Sequence, residues 1–177
     1  MAVVIKHRQL ANDTWQLLRP APDGSSPMVP LVGDIIVPLA LWLEHRDALL
    51  FRTGRLGVWL EPDEDPAVIA DDLAHFAVVA VNFPQATDGR GYSTARLLRE
   101  RYGWRGELRA IGDVLRDQLF YLARCGFDAW ELRADQDSAA ALEAFDDFSD
   151  AYQASVERPA PLFRRRASAT PDGVEWS

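Results

Sequence analysis

Residues 77–103 read AVVAVNFPQATDGRGYSTARLLRERYG, and this stretch decides the fold. Positions 77–83, apolar but for Asn82 and rich in β-branched residues, have the pattern of a buried strand. From Ser93 the period changes, with Ala95, Leu98 and Tyr102 on one face of a helix that Gly103 ends. A strand feeding a helix through one loop is half of a parallel crossover. The same unit recurs on both sides. Upstream, Leu56–Leu60 is strand-like, and Asp65-Pro66 supplies an N-cap followed by proline at the first helical position. Downstream, 107–111 is a strand leading to a helix capped by Asp113, with Leu115, Leu119 and Leu122 at helical spacing until Gly126. A fourth unit takes 127–132 as strand and 138–152 as helix, turning Leu142, Phe145, Phe148 and Tyr152 inward.

Four consecutive strand–helix units predict an α/β fold on a parallel sheet. Two architectures accommodate them: a half-barrel, as in half of a (β/α)₈ barrel, or a flavodoxin-like layered sheet. The barrel-like arrangement is preferred. It leaves one concave sheet face bare, so the N-terminal segment or a second subunit must close it. Residues 1–36 read as a short β segment and loop, with a hairpin turn at Asn12-Asp13 between 3–5 and 15–18 and a Pro/Gly/Ser-rich loop over 20–33. The α/β domain takes 37–155, opening with a helix over 37–51 that Gly54 stops, and 156–177 reads as a C-terminal arm carrying the basic run 164–166.

Composition narrows the function classes. The chain has 177 residues, a net charge of −8 and one cysteine, Cys125, with 48% apolar residues. That suits one folded domain and excludes a disulfide framework or a cysteine-only metal cluster. The acidic balance argues against nucleic acid and anionic lipid as partners. No apolar run is long enough to cross a membrane, and MAVVIKHRQL lacks a cleavage-site pattern, so a cytoplasmic protein is expected. Self-association or a protein partner is also expected, with the six tryptophans supplying core and interface mass.

Function in such folds sits beyond the carboxyl ends of the strands. The loop after 77–83 carries Asp88, Gly89, Arg90, Gly91, Tyr92 and Ser93. Glycines on both sides of Arg90 allow positive φ and an inward nest of N–H groups, and the helix start adds donors for an anion. Arg90 and Arg96 offer forks for sulfate, sulfite, phosphate or carboxylate. The plainer reading is a tight turn in which Asp88 bonds its own backbone. Asp113 and Arg133, after the next two strands, share the same rim by topology. Asp113, with Asp117 and Gln118 one turn on, reads first as an N-cap.

No metal site is predicted. Asp88 and Asp113 lack a third ligand for magnesium, and His7, His45 and His75 are scattered. The glycine spacing is not a dinucleotide fingerprint and no Walker lysine occurs, so no cofactor is evident. Cys125 reads as a buried structural thiol, and the pairs Asp71-Asp72 and Asp146-Asp147 as solvated helix faces.

The run VNFPQATDGRGYSTARLLRERYGWRGELRAIGDVLRDQLFYLARCGFDAWELR resembles the bacterial family called domain of unknown function 934. DGRGYS, LLR, GELRA, GDVLRDQ and GF carry the likeness, which spans about 56–148. The resemblance implies genomic company with assimilatory sulfite reductase and phosphoadenylylsulfate reductase, and an oxidoreductase label often given to the family. It implies no catalytic residues. A redox label fits poorly with a chain that has no cysteine pair and no flavin, nicotinamide or iron–sulfur pattern. The expected function is therefore an accessory role in sulfite assimilation and cysteine biosynthesis, binding the reductase or a sulfur oxyanion. Alternatives are a small-molecule enzyme using the rim of Arg90, Asp113 and Arg133, and a purely structural subunit.

Overall fold

The structure, a computed structural model, describes residues 3–145. Phe148 and Tyr152 of the expected last helix, the pair Asp146-Asp147 and the arm at 156–177 lie outside the described residues. Eight strands form one sheet: β1 (Val3–Lys6), β2 (Gln9–Asn12), β3 (Gln16–Leu17), β4 (Ile35–Pro38), β5 (Leu56–Leu60), β6 (Val78–Phe83), β7 (Glu107–Gly112) and β8 (Ala129–Trp130). Their spatial order is β2-β1-β8-β7-β6-β5-β4-β3. From β3 to β8 each neighbour is parallel and next in sequence. Only β1, beside β8, and β2, beside β1, run antiparallel. The parallel run never reverses direction, so it lacks the switch point of a doubly wound sheet and curls into a half-barrel. A mixed sheet of eight strands thus replaces the purely parallel one expected.

The N-terminal hairpin turns at His7-Arg8, not at Asn12-Asp13. β1 pairs with β2, while β3 lies at the far edge against β4. The cause is Asp13, whose carboxylate is drawn to the buried Arg109 at 2.8 Å and also accepts from the Trp15 N–H. This carries the chain across the sheet instead of back along it.

A second correction concerns 37–51. Ile35, Ile36 and Val37 are fully buried strand residues, and Pro38 (φ −64°, ψ 150°) separates them from α1 (Leu39–Phe51). Gly54 does end this unit. Its φ is +123°, and a Cβ there would meet the Gly33 carbonyl oxygen at 2.1 Å. Asp65 caps as expected, accepting from the Ala67 N–H at 2.9 Å, although the segment Pro66–His75 winds as a 3₁₀ helix. Asp72 is not on a solvated face. It is buried, accepts from Trp42 Nε1 at 2.9 Å and pairs with Arg46, pinning α1 to the 3₁₀ segment.

The next helix, α2 (Arg90–Arg96), begins before Ser93 and runs into a π turn over Leu97–Arg101. α3 (Leu119–Cys125) follows a 3₁₀ turn and ends at Gly126, φ +108°. α4 (Ser138–Ala141) is capped by Asp137. Helices pack on the outer face of the sheet, against residues such as Val58, Val79, Val81 and Leu108. On the inner face Ile36, Trp59, Val78, Ala80 and Ile111 form a smaller buried cluster. Trp15 and Leu17 pack on it, so the N-terminal segment covers the face that a bare half-barrel leaves open. No helix among the described residues is long and apolar enough to cross a membrane.

Candidate functional site

The carboxyl ends of β5 to β8 converge on a rim of Glu61, Asn82, Asp113 and Arg133. Asn82, near the end of β6, donates to Glu61 Oε2 at 2.8 Å, and Glu64 accepts from the Glu61 N–H at 2.7 Å. Burial pushes the Glu64 carboxyl above its ordinary value, and neighbouring Glu61 and Asp63 add to the rise. Gly112 closes β7 with φ +95°, a position where a Cβ would meet the Phe83 carbonyl oxygen at 2.4 Å. That turn aims Asp113 across the rim.

Asp113 is the hub. Its Oδ2 accepts from the Ala86 N–H at 2.9 Å and its Oδ1 takes Arg133 NH1 at 2.8 Å. It does not cap the following helix. Gln118 does that work, its Oε1 accepting from the Leu115 N–H at 2.9 Å while its Nε2 reaches the Ala86 carbonyl and, at 3.4 Å, the Tyr92 hydroxyl. Burial raises the Tyr92 hydroxyl, and the bond from Gln118 partly offsets this. Arg133 also clasps Asp135 through Nε and NH2 at 2.6 and 2.7 Å. Asp135 and Asp113 together hold the guanidinium above its ordinary value.

Residues 88–93 are a turn and a helix start, not a positive-φ nest. Gly89 has φ −82°, and Gly91 lies inside α2. The second glycine is needed for closeness: a Cβ on Gly91 would stand 2.7 Å from the Phe83 ring. Arg90 is gripped by Asp88 through Nε at 3.0 Å and NH2 at 2.7 Å, and Asp88 also accepts from the Arg90 N–H. Bonds to Arg90 keep the Asp88 carboxyl below the usual range. Ser93 follows within the same helix, and Tyr92 packs edge-on to Phe83. The structure thus joins Asp113 to Arg133, and Tyr92 to Gln118, while Arg90 turns to Asp88. An oxyanion reaching either rim arginine competes with a carboxylate already bound to it.

A second polar constellation escaped sequence reasoning. On the inner face Arg109, 2% exposed, takes Glu107 Oε1 at 2.8 Å and Asp13 at 2.8 Å, and Lys6 pairs with the other Glu107 oxygen. The signal was present in GELRA: positions two apart on a strand share a face, so Glu107 and Arg109 had to meet there. Among the described residues no group of three His, Cys, Asp or Glu side chains is placed to hold a metal ion.

The family model described as a bacterial protein of unknown function (DUF934) matches residues 57–163. The chain belongs to this family. No curated protein and no solved structure matches it. The DUF934 segment contains nearly all of β5, β6 to β8 and the whole rim, whereas β1 to β4 precede it. Arg109 therefore ties the DUF934 segment to Asp13 outside it.

Proposed function

We propose that the chain is a cytoplasmic accessory protein of assimilatory sulfite reduction, serving cysteine biosynthesis by docking on sulfite reductase or a neighbouring enzyme of that route. The observation that carries docking is an apolar patch at the amino ends of β4 and β5. Leu31, Val32 and Phe51 are 83%, 67% and 91% exposed. They are held together because Thr53 donates its N–H to the Leu31 carbonyl and bridges with Val32. A patch of this kind costs solubility unless a partner covers it. The rim supports the same reading, since Asp88, Arg90, Asp113 and Arg133 already satisfy one another as parts of a scaffold. Cys125 is 8% exposed, so the chain's own thiol is shielded from exchange.

The test is a pull-down with purified sulfite reductase, comparing the natural chain with Phe51→Asp and Leu31→Asp. Retention by the natural chain and loss in both variants, with unchanged melting temperatures, is the expected result. Absence of binding together with turnover of sulfite by the isolated protein would transfer the function to the rim as an enzyme site. A monodisperse monomer that binds no reductase and turns over nothing leaves the structural-subunit reading.

A further inference from the structure

We infer that the open edge of β2 pairs with the β2 of a second copy, extending the sheet across a two-fold axis. The register of the hairpin fixes which backbone groups are free. β1 and β2 pair Lys6 with Gln9 and Val4 with Ala11. The turn between them is His7-Arg8, with φ of 48° and 63°, both positive as a type I′ turn requires. In such a hairpin the residues flanking the turn exchange both backbone bonds, and bonded and non-bonded pairs then alternate. The other side of β1 agrees, since the His7 N–H donates to the Asp128 carbonyl at 2.8 Å, toward β8. Gln9 and Ala11 therefore direct their backbone groups to β1, while Leu10 and Asn12 direct theirs outward. Among the described residues nothing takes them: β2 is the terminal strand of the sheet and pairs with β1 alone.

Edges that stay single are guarded by a charge, a proline or a bulge. Gln9-Leu10-Ala11-Asn12 has neither charge nor proline, and its register with β1 runs without interruption. Asn12 faces Val3 and lies two positions from Leu10, so Val3 and Leu10 share one face; each is 45% exposed. A second copy fits because the free groups are self-complementary. Antiparallel pairing about a two-fold at Ala11 sets Leu10 opposite Asn12 of the partner subunit, and the reverse, so every outward N–H and C=O of both strands is taken. Ala11 is the small residue on the axis, where a non-bonded pair brings Cα atoms to about 4.5 Å. The two Leu10 side chains lie diagonally within reach. Arg8 precedes the paired segment, so its two copies stand at opposite ends of the interface. The far edge differs, since β3 has two residues and offers little to pair with. A closed dimer follows rather than a fibre. It is independent of the docking reading, because Val32 bridges to Thr53 beside β4 and β5, toward the other end of the strand order from β2.

An edge of four residues buries little surface, so association is weak and concentration-dependent. Sedimentation velocity of the full chain from about 5 to about 500 μM reads the association, and amide hydrogen exchange at both ends of that range reads the edge. The natural chain is expected to pass from monomer to dimer. Its Leu10 and Asn12 amides gain protection as concentration rises, while the Ala11 amide is protected throughout. Asn12→Pro deletes an outward N–H that the fold itself does not use, and Leu10→Lys places a charge on the edge. Both variants are expected to stay monomeric, with melting temperatures within about 2 °C of the natural chain. A natural chain that is monomeric at the top of the range would overturn the pairing. So would a dimer retained in both variants, or one lost in Phe51→Asp instead. Assemblies larger than a dimer would overturn the two-fold, because they need a second edge or face.

Discussion

Asp113 and Arg133 stand 20 positions apart in sequence and meet at 2.8 Å, with the Ala86 N–H on the other carboxylate oxygen. One side chain therefore ties together the loops that follow β6, β7 and β8. Asp113→Ala removes an acceptor from a partly buried amide and a charge partner from Arg133, so it costs about 1–3 kcal/mol. Arg133→Ala costs less, because the arginine is half-exposed and Asp113 keeps Ala86. Urea denaturation of the two variants checks this order. Equal losses would mean that the ion pair, rather than the backbone bond, secures the rim.

Gly89 and Gly91 flank Arg90 symmetrically in sequence and differ in what surrounds them. Gly91→Ala drives a methyl to 2.7 Å from the Phe83 ring and 3.1 Å from Val81, so overpacking costs about 1–3 kcal/mol. Gly89→Ala meets nothing within 4 Å and has an ordinary negative φ, so it is neutral or slightly stabilising. Thermal melts of the pair decide. A large loss at Gly89 with none at Gly91 would return the loop to a nest conformation.

The fold class was legible because β5 and β6 are mainly apolar runs and β7 carries Leu108, Ala110 and Ile111 between turn signals, so local sequence alone marks them as strands. Gly54, Gly103 and Gly126 punctuate the elements as expected, each with positive φ. Less legible were features set by contacts across the chain. Nothing local in Asn12-Asp13 reveals that Asp13 reaches Arg109, 96 positions away, and this contact moves β3 to the opposite edge. Asp72 looks solvated until Trp42 is placed over it. At the rim, Asp113 and Arg133 meet across two loops, whereas Arg90 turns to Asp88, whose carboxylate also accepts from the Arg90 N–H and so lies beside its guanidinium.

Cys125 is the last residue of α3 and is buried beneath the outer helices. A thiol reagent should therefore modify it at a rate set by opening of the fold, in native buffer far more slowly than in urea. Cys125→Ala leaves partner binding unchanged and costs about 1 kcal/mol of packing. Instant modification of the native protein would show the sulfur accessible and reopen thiol chemistry as a function.

Glu107 gives the acid limb of stability its sign. Burial pushes its carboxyl up, but the charges of Arg109 and Lys6 more than reverse this and hold it below the ordinary glutamate value. A carboxyl with a folded value below its unfolded one, about 4.3, adds stability that is fully present above that pH. It is lost as the pH falls through the folded value. Arg109 stays charged throughout this range and adds nothing to the slope. Glu107→Gln removes the carboxylate, leaves Arg109 paired with Asp13 alone and takes the partner from Lys6, costing about 1–3 kcal/mol near neutral pH. The gap between natural chain and variant should hold steady down to about pH 5 and close progressively below about pH 4. Unfolding free energies from urea titrations across that range measure it. A gap that persists unchanged in strong acid would mean that Glu107 stabilises by shape and hydrogen bonding, not by its charge.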